Sequence, residues 1–148
     1  MSDTKVLFLE EVIANAVKQL LTGRVNEILG EAELSVPIIE YGGNGHSTSI
    51  TPIVTHNSCE RTEKERLIKI DAYSLTITFE IPETPESELY CYAYSGAVSR
   101  AFYDNPTLGG IADRAVVTGK KYIPPKNSFC GEGWGLVVTL RVTIEGMG

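Results

Sequence analysis

The chain has 148 residues, 43% hydrophobic and 22% charged, enough for one domain with one core. Nineteen acidic against thirteen basic residues leave a formal net charge of -6, and the basic residues are scattered. That balance argues against direct nucleic-acid recognition, which needs cations gathered on one face, and no apolar stretch is long enough to span a bilayer.

Met1 to Val12 carries Asp3, Glu10 and Glu11, unlike the basic start and unbroken apolar run of a signal peptide. The cysteines Cys59, Cys91 and Cys130 are odd in number and widely spaced, the pattern of free thiols in a reducing cytoplasm.

In chain order, residues 4–21 read as an amphipathic helix capped by Asp3, with Phe8, Leu9, Val12, Ile13, Ala16 and Leu20 on one face. Gly23 is expected to interrupt it, and Val25, Ile28 and Leu29 to form a further short turn before Gly30. Val36 to Tyr41 reads as a short strand, with Pro37 near its start or an edge. Composition makes residues 42–49 a loop. Beyond it Ile50, Ile53 and Val54 suggest a strand that Pro52 weakens.

The clearest strand covers residues 67–81, where Tyr73, Leu75, Ile77, Phe79 and Ile81 alternate with Ser74, Thr76, Thr78 and Glu80. Pro82 stops it. A second helix is expected to open at Thr84 and Pro85, to pack through Leu89, Ala93, Ala97, Val98, Ala101 and Phe102, and to end at Asn105-Pro106. Residues 111–123 read as a strand. After a Pro- and Gly-rich turn region, Leu136 to Glu145 alternates again and is expected to pair antiparallel with it.

This order predicts a single α+β domain over residues 1–148, a mainly antiparallel sheet with two helices packed on one face. The segments 42–64 and 119–135 are expected to be long loops of the kind that carry function or meet a partner.

The segment Asp104-Asn105-Pro106-Thr107-Leu108-Gly109-Gly110-Ile111-Ala112-Asp113 resembles one found in the tail-terminator and tail-completion proteins of long-tailed bacteriophages and prophages. The likeness extends to the element order of most of the chain and to the closing strand from Gly135 to Gly146, while roughly ten residues form the sharp motif. Pro106 and the Gly109-Gly110 pair serve a helix-to-strand reversal there.

The resemblance implies a virion structural protein rather than an enzyme, without a cofactor, assembled in the bacterial host cytoplasm and seated in the virion tail. It implies a homo-oligomeric ring, a hexamer, whose partners are the tail tube protein and the head-tail connector proteins. A neck or minor tail protein of the same particle is the neighbouring alternative. From another class, the alternative is a small cytosolic enzyme or ligand-binding domain.

Within the ring reading, the charge run Glu60, Arg61, Glu63, Lys64 and Arg66 is the expected intersubunit contact, because alternating signs on one protomer can pair with the next. A solvated strand end explains the same run equally well. Lys120, Lys121, Lys126 and Trp134 are the expected tube or connector contact.

The candidates for chemistry are weaker. Among His46, His56, Cys59 and Cys130, only His56 and Cys59 have the close spacing of a zinc pair. Phe129 to Trp134 surrounds Cys130 with glycines, but a thiol nucleophile needs a base and an electropositive setting. Gly42-Gly43-Asn44-Gly45 lacks the Lys-Ser/Thr ending of a phosphate loop. Glu10, Glu11, Asp104 and Asp113 read as solvated carboxylates rather than as an acid pair for hydrolysis.

Overall fold

The computed structural model describes residues 8–42, 49–66, 68–125 and 133–147. Asp3, His46, Lys126 and Cys130 lie outside those residues, as do the first turn expected for the N-terminal helix and most of the glycine loop.

The first helical rod is α1 (Leu9–Leu20), a π-helical turn (Leu21–Val25) and α2 (Asn26–Glu31), without a break. Gly23 therefore does not interrupt the helix, as the sequence led us to expect; it sits in a wider turn. That turn is supported by side chains: the Thr22 hydroxyl donates to the Lys18 carbonyl (3.0 Å), and the Asn26 amide donates to the Thr22 carbonyl (3.0 Å). Such local bonds replace ladder bonds where a π turn widens the helix. The buried stripe is Ile13, Val17, Leu21, Val25 and Leu29, each four residues from the last, so one face stays inward along the whole rod.

Two short strands follow, β1 (Ile38–Ile39) and β2 (Ser49–Ile50), paired in parallel. Asn26 ties β1 to the rod: its Oδ1 accepts from the Ile39 amide and its Nδ2 donates to the Ile39 carbonyl, both at 2.9 Å. One side chain thus satisfies both backbone groups of Ile39, whose side chain is buried.

The main sheet has four antiparallel strands in the order β3-β4-β6-β5: β3 (Ile53–Glu65), β4 (Ile68–Ile81), β5 (Arg114–Ile123) and β6 (Trp134–Met147). Between β4 and β5 runs α3 (Ser87–Asp104). The α+β prediction holds, with two helical segments, the rod and α3, beside an antiparallel sheet.

Three expectations change in detail. Within the segment 42–64, expected to be a long loop with a weak strand at Ile50, Ile53 and Val54, the edge strand β3 begins at Ile53 and runs on to Glu65. The segment is polar, and register shifts between His56 and Ser58 and between Glu63 and Glu65 disturb its alternation. Residues 119–123, expected both as the end of the strand 111–123 and as the start of a long loop, belong to the strand, since β5 runs to Ile123. Finally, α3 begins at Ser87 rather than Pro85, because Thr84 and Ser87 make their own turn first: the Thr84 amide donates to Ser87 Oγ (2.6 Å), and that hydroxyl donates to the Pro82 carbonyl.

Alternation decides the two faces of the sheet. Leu75, Ile77 and Phe79 of β4 and Leu136, Val138, Leu140 and Val142 of β6 lie opposite one another and are fully buried beneath the helices. Each such side chain contributes about 1.5–3 kcal/mol relative to exposure. From α3, the fully buried Tyr94 stacks on Phe79 with ring centroids 5.0 Å apart, and its hydroxyl donates to the Pro37 carbonyl. The opposite face carries Ser74, Thr76, Thr78, Thr139 and Arg141, with no described helix over it.

Candidate functional site

The residues grouped by sequence into one tube-facing hairpin occupy three environments. Lys120 is opposite Val138 and so on the helix-covered side, where its Nζ donates to the Ser95 carbonyl at 2.9 Å. Lys121 is opposite Val137, on the open side, and exposed. Consecutive residues of a strand point to opposite faces, so the two lysines cannot form one patch. Trp134 starts β6, half-buried, with its ring 6.1 Å from that of Tyr92, which also meets Tyr122 edge-on at 5.7 Å. Lys126 lies outside the described residues.

The charge run occupies the far end of β3 and the turn after it. Arg61 pairs with Asp71 on β4 through two bonds of 2.6 and 2.9 Å, and Lys69 with Glu63 at 2.9 Å. The Arg61 hydrogen bond and charge hold the Asp71 carboxyl below its usual range. Two of the charges expected to meet a neighbour therefore have partners within the chain. Glu60 stands on the open face in a shallow polar hollow with Ser58, Ser74, Thr118 and Arg141. Arg66 is exposed in the turn, and Lys64 belongs to β3.

The Pro106–Gly110 segment is a tightly fixed reversal. Leu108, Gly109 and Gly110 have φ of 51°, 73° and 96°, three successive residues in a region that favours glycine. The Leu108 side chain is buried, the Pro106 carbonyl accepts from the Ala115 amide (2.6 Å), and the Asp113 amide donates to the Thr143 carbonyl (2.9 Å). The turn thus pins the end of α3 to the start of β5.

Nothing in the described residues gathers three or more His, Cys, Asp or Glu in a metal-holding cluster. The ring of His56 is held through Nε2 at 2.7 Å from the Glu10 carbonyl. Burial, then Asp71, raises the Cys59 thiol, and burial pushes the Cys91 thiol up to about 11. Both cysteines are poor thiolate sources at neutral pH. Two of the four carboxylates singled out by sequence are engaged locally: Asp104 pairs with Arg100 (3.0 Å) and Arg24 (3.6 Å), and the Glu145 amide donates to Asp113, whereas Glu10 and Glu11 are exposed. No described helix is long and apolar enough to cross a membrane.

Sequence reasoning missed a groove of about 670 Å³ between the second half of α3 and the edge strand β5. Phe102, Tyr103, Pro106 and Val117 form its apolar wall, and Arg114 and Lys120 are its charged lining. Tyr103 is 83% exposed. The α3 side of the groove is lined by Ser99, Phe102 and Tyr103, and helical spacing alone does not distinguish a core face from a docking face.

No family model matches the chain, and no curated protein sequence matches it.

Proposed function

We propose that this protein is a structural subunit that assembles head to tail into a closed ring, and that the ring completes a phage tail as its terminator. The observation that carries the reading is the unfinished state of the sheet. Among the described residues no further strand pairs with the outer side of β3 or of β5, although the Pro106 carbonyl takes the Ala115 amide at the start of β5, and no described helix lies over one whole face. Long open edges are normally blunted or covered, and a ring of copies covers them without leaving an end. The reversal at Pro106–Gly110, which carries the resemblance to tail-terminator proteins, supports the same reading by its fixed geometry.

The test is the solution mass by light scattering, followed by negative-stain imaging with and without the tail tube protein. The expected result is a closed ring of about six subunits that caps one end of the tube. Labelling the capped end distinguishes a terminator from a connector or minor tail role. A monomer that neither assembles nor binds tube overturns the proposal.

A further inference from the structure

Of the nine large hydrophobic side chains exposed among the described residues, seven fall into two groups, Ile38 and Ile111 being the others. Phe8, Leu9 and Ile53 lie on the β3 side of the molecule, since α1 begins beside that strand, where His56 meets the Glu10 carbonyl. Leu89, Tyr92, Tyr103 and Tyr122 lie on the α3–β5 side, at the other end of the strand order. Contiguous exposed apolar groups mark interaction surfaces, and tyrosine is prominent in them.

The two patches also carry opposite charge. The acids Glu10 and Glu11 stand exposed in the first turn of α1, next to Phe8 and Leu9. The charged residues lining the α3–β5 groove are Arg114 and Lys120, both cations.

Resting on the ring reading, we propose that the ring's lateral contact seats the Phe8–Glu11 end of α1 from one copy in the α3–β5 groove of the next. Phe8 and Leu9 then cover Phe102, Tyr103 and Pro106, while Glu10 and Glu11 approach Arg114 and Lys120. Because the complementary patches sit on opposite sides of one subunit, the contact is heterologous, and it repeats until the ring closes. Like charges would oppose the alternative of groove against groove.

Two variants test this, Phe8→Asp and Tyr103→Asp. Both positions are exposed, and Phe8 is the cap residue of α1, where aspartate is favourable, so neither change threatens the fold. Circular dichroism checks this. Each variant alone is expected to be monomeric where the unaltered protein forms rings. Mixed in equal amounts at high concentration, they are expected to give a dimer, since one copy still offers its groove and the other its α1 end.

Rings formed by either variant alone overturn the contact and leave the ring reading standing. A mixture that stays monomeric also overturns it. If the unaltered protein is itself monomeric at high concentration, the self-contact fails, and tube binding by the same sample then judges the tail reading separately.

Discussion

The two faces of the sheet are built from alternate residues of the same strands, yet they answer to different demands. On the covered face, Leu75, Ile77, Phe79 and Leu140 are wholly buried, and each position is constrained by the helix above it. On the open face, Thr76 lies across from Thr139 and Thr78 across from Val137, and all three threonines remain partly exposed. In β4, then, the even positions 76 and 78 are expected to tolerate change better than the odd positions 75, 77 and 79, and in β6 the parity is reversed.

The sharpest way to break this contrast is Ile77→Ala. It should cost about 3–4 kcal/mol, because it removes buried methylenes and leaves a cavity beneath α3; a denaturant melt checks it. Asn26→Ala should cost about 2 kcal/mol, since the amide and carbonyl of Ile39 both lose their partner in a part-buried setting. Its signature in hydrogen exchange is loss of protection at Ile39 before any loss in the main sheet.

A smaller effect is expected at the Arg61–Asp71 pair, and its sign with pH is fixed. The Asp71 carboxyl is held below its usual value in the folded chain, so its contribution is present above the unfolded-state value and is lost as pH falls through the folded one. Asp71→Asn should flatten that part of the acid limb of a stability–pH curve; an unchanged limb counts against the pairing. The smallest effect belongs to the open face, where Thr76→Ala should change subunit stability by no more than about 0.5 kcal/mol. If that variant nonetheless weakens assembly, the face is a contact surface.

The covered face was legible in the sequence because burial on one side writes a period of two, and β4 and residues 136–145 of β6 were read from it directly. The edge strand β3 was not legible. No further described strand pairs with one side of it, its residues are largely polar, and two register shifts disturb its period, so most of it read as loop. The reach of the first helix was misjudged because Gly23 has low helix propensity, whereas the π turn and the Thr22 and Asn26 side chains carry the rod through it.

Of the candidate site, the Pro106–Gly110 reversal was legible because positive φ demands glycine. Lys120 and Lys121 were wrongly grouped because adjacency in sequence becomes opposition in a strand. The α3–β5 groove could not be read at all, since it exists only where two elements distant in sequence meet.

The strand order β3-β4-β6-β5 also governs how the molecule comes to be folded. The outer ladders, β3 with β4 and β5 with β6, are hairpins that can zip locally, whereas the central ladder joins residues roughly 50 to 80 positions apart. Until that long loop closes, each hairpin exposes on one side the strand that is destined for the middle, in addition to its outer edge. The interval before closure is when a newly made chain is most prone to pair with the wrong strand, and the speed of this one central docking step sets how long that exposure lasts.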